Sequence, residues 1–379
     1  MKRIIISVLM AVGLIASLSV ASVAVKVYEY DLSEGAEESA EGMLSELIES
    51  IPQEIKDELP EGRGTDISEF DFEYFEELIE KSVRSAAVPA FKVVAILLGT
   101  VIISAVFNIL SKTVCPSSLE GVFSFCSSIC VSLSVFSAMK SVFNTVESLL
   151  KTLSDTMLII VPVMEGIYIT SGNLTTAAVT STGINLMISL TQGIFSRVIS
   201  PLVYAVFILS VVAVVTKNAG ITFMSKTLRG MLTGGLLVIM TVMTFVLALQ
   251  SSGTAAADTF AQRTVKFAIG SYLPIVGGSV ADSFSVLSGS LSVIKQSCGI
   301  VGIVIIIIAF LPPFAVILLS HLAVGGAGAL SSVLGCEREG ELLSECKSTC
   351  TLLLAVCSGA VVMYIVALGI FCKTPVAIG

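Results

Sequence analysis

The sequence has few charged residues and lacks most of the side chains on which soluble enzymes depend. Of its 379 residues only 13% are Asp, Glu, Lys or Arg, one is a histidine and none is a tryptophan. A single histidine leaves little room for a histidine-based metal site or a catalytic triad. The sequence also has no Walker A loop, no GxSxG elbow and no HExxH pair. We therefore expect no catalytic residue, no metal site and no cofactor.

The charges and the cysteines exclude two further classes of protein. The 21 basic residues are outnumbered by 29 acidic ones, so nucleic acid is not an expected partner. The nine cysteines contain no CxxC pair and none lies between residues 25 and 88. The sequence therefore predicts neither a metal or redox site nor a disulfide framework in that region.

What the sequence has in excess is apolar side chains. Hydrophobic residues make up 55% of the chain and the mean hydropathy is +0.97. A bilayer core is crossed by about 20 largely apolar residues, and uninterrupted apolar runs favour helices over a β-barrel. The sequence predicts an all-α polytopic membrane protein with about six to eight transmembrane helices over residues 89–379. The clearest runs are roughly 91–110, 119–139, 156–172, 177–195, 201–215, 231–249, 299–320 and 351–372.

The first 24 residues are typical of a secretory signal peptide. Lys2 and Arg3 precede an apolar run over Ile4–Val20, and small residues follow at Ala21–Ala24. An uncleaved first transmembrane helix is the alternative interpretation. Both interpretations place the residues after Ala24 outside the cytoplasm.

The segment 25–88 is strongly acidic. It contains 19 acidic and five basic residues, a net charge of −14, while the whole chain carries −8. Apolar residues recur at three- and four-residue spacing over Met43–Ile51 and over Ile67–Val83, which predicts two short amphipathic helices. Two interpretations stay open: these helices lie on the membrane or on the rest of the protein, or they present a face to a partner protein.

The positive-inside rule gives a topology for the membrane region. If Val88 is outside, successive crossings place Thr216–Gly230 in the cytoplasm, and this loop carries basic residues and no acidic one. Its cytoplasmic topology determinants are Lys217, Lys226 and Arg229. The half-polar region Arg263–Lys295 leaves the side of the C-terminus open.

Three ionisable residues are candidates for an intramembrane polar path. Glu165 lies within an apolar run, and Asp282 and Lys295 lie in a region rich in glycine and serine. Ionisable residues within membrane spans are rare and usually face a protein interior or water. For Glu165 the alternative is a protonated or snorkelled side chain near the interface.

The Gly/Pro/Ser-rich block 266–298 is the most distinctive part of the chain. Gly270, Pro274, Gly277 and Gly278 permit a non-helical backbone. Such a backbone at membrane depth is tolerated only where it is buried in protein or lines water. The block is therefore an aqueous path, a partner-binding surface outside the bilayer, or a plain polar loop.

Two patches of small residues, Gly230–Gly235 and Gly325–Gly328, favour close packing of membrane helices. The packing partner is another helix of this chain or a second copy of it.

Several stretches resemble one known family, the stage III sporulation protein AE family. After a span from Gly234 to Gln250, the block Asp258–Gly302 reads RTVKF at 263–267, GSYLPIVG at 270–277, AD at 281–282 and IKQSCGIVG at 294–302. The order of a signal peptide, an acidic exported segment and a polytopic body also matches the family.

The resemblance implies a non-enzymatic membrane protein of the mother cell that surrounds the forespore. Family members look like components of a channel-like apparatus that joins the two cells and is needed for forespore maintenance and late gene expression. The implied partners are other membrane and extracytoplasmic sporulation proteins, with a homo-oligomer possible. The alternative hypotheses are a free-standing secondary transporter that uses Glu165 or Asp282, and an intramembrane enzyme, which the lack of a nucleophile–base pair disfavours.

Overall fold

All regular secondary structure in the described part of the chain is helical. The computed structural model covers Gly42 and residues 45–59, 72–114, 117–170, 173–216, 218–272 and 277–373. The backbone alone is described at 250–272, at 277–296 and at scattered positions elsewhere, among them 117–121 and 247–248. Six of its helices are long and apolar enough to cross a membrane. The predicted all-α polytopic class is confirmed.

The helices are numbered in chain order, after a short helical stretch at 45–50. They are α1 Gln53–Lys56, α2 Phe72–Val114, α3 Ser117–Thr170, α4 Leu174–Ile194, a π turn at Phe195–Ile199, α5 Ser200–Thr216, α6 Ala219–Tyr272, α7 Gly277–Val333 and α8 Glu337–Lys373.

Two pairs of apolar runs that are separate in the sequence are each part of one continuous helix. The run 119–139 and the run 156–172, as far as residue 170, belong to α3 because the residues between them include neither glycine nor proline. Those residues place Val142, Val146, Leu149 and Leu153 in the core at helical spacing. The charges between the two runs therefore lie on the opposite face of a helix and not in a loop.

The runs 177–195 and 201–215 are likewise joined, through α4, the π turn and α5. Pro201 has no N–H for the carbonyl of Arg197, and its ring crowds that carbonyl. The wider π turn directly before it relieves this crowding, and the N–H of Ser200 donates to the carbonyl of Phe195, five residues earlier.

The centre of the bundle is the antiparallel pair α7 and α8. The most apolar windows of these helices are 78% and 67% buried within the protein, against 28–33% for the spans of α2, α3 and α4–α5 and 6% for that of α6. Gly335 closes the turn between α7 and α8 with a φ of 73°, a conformation that favours glycine. The apolar character of α7 and α8 thus reflects contact with protein, and that of the outer helices leaves them suited to lipid or partners.

Helix α3 is held against α8 by contacts in the C-terminal half of α3. The Tyr168 ring stacks on the Phe371 ring at 4.9 Å between centroids, and its hydroxyl donates to the Phe371 carbonyl. Nearer the middle, the hydroxyls of Ser154 and Tyr364 are 3.0 Å apart. These contacts fix the register of α3 on the central pair.

The described part of the acidic segment packs on this bundle. Leu47, Ile51, Ile55 and Leu78 are buried in the main core cluster. The Tyr74 hydroxyl donates to the Glu58 carbonyl at 2.9 Å. Helix α2 runs without interruption through Pro89, so the predicted boundary between residues 88 and 89 falls inside a helix.

We predict that Gly299→Val destabilises the protein, because a Cβ at this position would lie 1.8 Å from the Cys372 Sγ. Overpacking of this kind costs about 1–3 kcal/mol. The midpoint of thermal unfolding of the detergent-solubilised protein should fall. Gly166→Val is the matched control, since nothing lies within 4 Å of its Cβ position; an equal loss of stability in the two variants would contradict this packing.

Candidate functional site

A groove on the described surface lies where α3, the π turn and α8 meet. We call it the charged groove; its volume is about 560 Å³. It is lined by Phe143, Val146, Glu147, Leu150, Lys151, Ser189, Gln192, Gly193, Phe195, Ser196, Arg197, Ile199, Ser200, Val203, Leu353 and Val356.

Three exposed charged side chains line the groove. Glu147 and Lys151 are one turn apart on α3, and Arg197 lies on the π turn. A Glu147 Oε1 atom accepts a hydrogen bond from the Ser200 hydroxyl at 2.8 Å. Neither Lys151 nor Arg197 forms an ion pair with a described residue. The groove therefore offers two cationic groups to a ligand, to water or to another protein.

The local sequence explains why these side chains point outward. The inward stripe of α3 is apolar, so Glu147 and Lys151 occupy its outer face. In the π turn Phe195 and Ile199 are buried, which leaves Arg197 exposed. π turns inside α-helices are frequent at functional sites.

The charged groove lies within helices of membrane-crossing length. Glu147 and Lys151 fall inside the candidate span Phe125–Thr170, and Arg197 falls inside Leu174–Thr216. The floor of the groove includes Leu353 and Val356 of α8. An exposed charge at such a position is expensive when it faces lipid, so this face is suited to water or to protein.

Glu165, which the sequence singled out, does not line the groove. It is half-buried on α3, and no hydrogen bond or ion pair joins it to a described residue. Its assignment to an intramembrane path stays a prediction.

The distinctive block 266–298 is helical wherever it is described. Gly270 lies in the last turn of α6, and Gly277 and Gly278 begin α7. The described part of the block is therefore helical and not a loop. Glycine permits a non-helical backbone but does not require one. Pro274 lies outside the described residues.

Asp282 and Lys295 both belong to α7. Their side chains lie outside the described part of the chain, so their role in a polar path also stays a prediction.

The predicted topology determinants have different surroundings. Lys226 is exposed on α6, and Lys217 lies outside the described residues. Arg229 is mostly buried: its guanidinium donates to a Glu345 carboxylate oxygen at 2.8 Å and to the Ser210 hydroxyl at 3.0 Å. Arg229 therefore ties α6 to α5 and α8, a role that charge counting does not reveal; the membrane side of all three residues stays a prediction.

A buried carboxylate, Glu339, also escaped the sequence analysis. It is 6% exposed, and one of its oxygens accepts a hydrogen bond from Ser104 at 2.7 Å, with Ser127 at 3.5 Å. Glu339 lies in the first turn of α8, where the helix dipole stabilises a negative charge. The sequence signal was an acidic first turn directly after Gly335.

Within the described residues, no group of three or more His, Cys, Asp or Glu side chains has the geometry of a metal site. The buried cysteines of α8 pack as apolar groups; the Cys350 thiol, for example, lies 3.7 Å from the Met139 sulfur.

We predict that Arg229→Met destabilises the protein by about 2 kcal/mol, since it leaves the mostly buried Glu345 carboxylate without its charged partner. The double variant Arg229→Met/Glu345→Met should recover most of this loss, because it removes both charges. Unfolding midpoints of the purified protein in detergent measure both effects. A double variant no more stable than Arg229→Met alone would contradict the coupling.

Comparison with known proteins gives a family match over most of the chain. The family described as "Stage III sporulation protein AE (spore_III_AE)" matches residues 55–374. The chain is 26% identical over 180 residues to the stage III sporulation protein AE of Bacillus subtilis (strain 168), a match that covers 47% of this chain and 45% of the relative. The aligned part thus spans less than half of that relative. No solved structure matches. With a family match over most of its length, the chain belongs to the stage III sporulation protein AE family.

Proposed function

We propose that this protein is a non-enzymatic, multi-span subunit of a sporulation transport or secretion complex that links the mother cell and the forespore. Family membership supports its role in sporulation. The observation that carries the rest is the charged groove, whose exposed Lys151 and Arg197 lie within helices of membrane-crossing length.

The position of these charges favours a subunit over an isolated carrier. A carrier that works alone surrounds its polar site with its own helices, whereas the charged groove opens on the outer surface of the described bundle. Charges on the outside of apolar helices require a neighbouring protein or a water-filled space. In the proposed complex, partner subunits close the groove and convert it into a wall of a polar passage or a docking contact.

The proposed partners are other membrane and extracytoplasmic sporulation proteins. In the proposed topology the acidic segment is extracytoplasmic, in the space between the mother-cell membrane and the forespore. The described part of this segment is suited to docking because Leu78 faces the core while Glu73, Glu76, Glu77 and Glu80 are exposed on the outside of α2. A basic surface on a partner would complement this face.

The proposed complex receives its energy from another subunit, since the sequence has no nucleotide-binding loop. In this proposal the protein lies in the mother-cell membrane around the forespore, where the complex supports forespore maintenance and late gene expression.

We predict that Lys151→Glu/Arg197→Glu abolishes this function without preventing membrane insertion, because both residues are exposed and no buried contact is lost. The gene for this variant replaces the native gene in the source bacterium. Heat-resistant spores are counted, and the activity of a late forespore reporter is measured. Membrane fractions confirm the amount of protein.

Lys92→Glu, which reverses an exposed charge on α2 away from the groove, is the control and should sporulate normally. Arg197→Lys should retain most activity, since it keeps the charge. Wild-type spore counts from the double variant would overturn the assignment of the groove.

We further predict that Glu165→Gln leaves spore formation unchanged, because Glu165 neither lines the groove nor bonds a described residue. A secondary transporter coupled through this carboxylate would instead lose its activity. Loss of spores, together with loss of ion-coupled uptake by the purified protein in liposomes, would favour the transporter.

A further inference from the structure

The charged groove has a net positive charge that no other described residue neutralises. Of the three ionisable side chains in its lining, Lys151 and Arg197 are cationic and Glu147 is anionic, so the net charge is that of one cation. The Glu147 carboxylate accepts a hydrogen bond from the Ser200 hydroxyl and forms no ion pair with a described residue. A ligand with a single negative charge, such as a phosphodiester, would therefore balance the groove.

Uncharged hydrogen-bond donors line the groove together with these cations. The side chains of Ser189, Gln192 and Ser196 are exposed, and none of the three forms a hydrogen bond within the described part of the chain. Ser196 and Arg197 are neighbours on the π turn. Phosphate oxygens accept hydrogen bonds from hydroxyl and amide groups, and a guanidinium group binds them through two parallel bonds. This set of donors fits a phosphate group.

The groove also has an apolar floor. The residues that form it are buried in the protein; they are Phe143, Val146, Val203, Leu353 and Val356. Leu190 and Val198, which follow Ser189 and Arg197 in the sequence, are exposed apolar side chains. A dissolved anion gains nothing from an apolar lining. A phospholipid presents a phosphate group and hydrocarbon chains together, so the lining favours a lipid over free phosphate.

The groove lies near the middle of two candidate spans that are longer than a bilayer requires. These spans have 46 and 43 residues, whereas about 20 apolar residues cross a hydrocarbon core. In each span the charged residues separate two apolar runs. When one of these runs crosses the core, the charged residues lie at the level of the lipid headgroups. Hydrocarbon does not neutralise charge, but the phosphates at this level do.

The dimensions of the groove favour a headgroup over a partner helix as the ligand. Its volume of about 560 Å³ falls within the range of roughly 300–1,000 Å³ that is typical of small-ligand sites. A helix with its side chains is about 10 Å across, so the groove would hold less than two turns of it.

We propose that the charged groove binds one anionic phospholipid, with the phosphodiester at Lys151 and Arg197 and the hydrocarbon chains on the apolar floor. Basic pockets between membrane helices bind anionic headgroups in this way. The inference rests on the groove of the proposed function, since it names the ligand of that groove. In the proposed complex a partner subunit closes the groove over the bound lipid.

The test measures lipid binding by the purified full-length protein, so its outcome is separate from that of the spore counts. Phosphatidylglycerol and phosphatidylcholine with identical chains are added in equal amounts in a neutral detergent. Native mass spectrometry then measures the lipid that stays bound. The wild-type protein should retain one phosphatidylglycerol in preference to phosphatidylcholine.

Lys151→Gln/Arg197→Gln should lower the affinity for phosphatidylglycerol by about thirtyfold, since each basic residue near a lipid phosphate contributes about a fivefold gain. Lys92→Gln/Lys226→Gln is the matched control. It removes two exposed positive charges that do not line the groove, and it should bind as the wild type does.

Glu147→Gln should raise the affinity for phosphatidylglycerol by about fivefold, because it removes the negative charge of the groove. The glutamine still accepts the hydrogen bond of Ser200. A gain of affinity of this kind does not arise from loss of folding, so it complements the losses expected of the double variant.

Two further arms distinguish the lipid from other anions. An excess of inorganic phosphate should leave phosphatidylglycerol bound. In membranes of sporulating cells, a photo-crosslinking amino acid at Ser196 should label lipid.

Four results would overturn the proposal. The first is a wild-type protein with no preference for phosphatidylglycerol, and the second is an equal loss of affinity in the two double variants. The third is displacement of the lipid by inorganic phosphate, which would assign the groove to the free anion. The fourth is crosslinking of Ser196 to protein alone, which would assign the groove to a partner subunit.

Discussion

The burial of α7 and α8 by protein is the constraint on which the rest of this structure depends. Both helices are as apolar as transmembrane spans, yet most residues of their apolar windows are buried within the protein. With these two helices inside, the outer helices provide the surface that meets the surroundings. That surface is mixed: it is apolar along α6 and charged where α3 meets the π turn. The mixture is typical of a subunit whose neighbours include both lipid and protein.

The helical class and the membrane region could be predicted because long apolar runs admit few other structures in lipid. The continuity of α3 could not be predicted in this way. The number of charged residues in Lys140–Asp155 is typical of a loop between two spans, and only their spacing indicates a helix. The charged groove was missed for the same reason: Glu147, Lys151 and Arg197 are far apart in sequence or lie between apolar runs. Glu165 stood out as a carboxylate within an apolar run; it lies outside the charged groove, and its place in an intramembrane path stays a prediction.

The contact of Arg229 with Glu345 shows a second limit of sequence reasoning. The positive-inside rule counts basic residues near the ends of apolar runs as evidence for a cytoplasmic loop. The rule counts a basic residue in the same way whether its side chain is solvated or paired with an acidic one. The pairing depends on a helix 116 positions later in the chain, which no local pattern contains. Glu339 is similar, since its serine partners on α2 and α3 are recognisable only after the helices have packed.

The length of α3 has a mechanical consequence. Its 54 residues at about 1.5 Å each form a rod of about 80 Å, more than twice the roughly 30 Å of a hydrocarbon core. A tilt of about 5° at one end would therefore displace the other by about 7 Å. Because α3 also forms one wall of the groove, a tilt of this helix moves Glu147 and Lys151, near its middle, relative to Arg197 on the π turn.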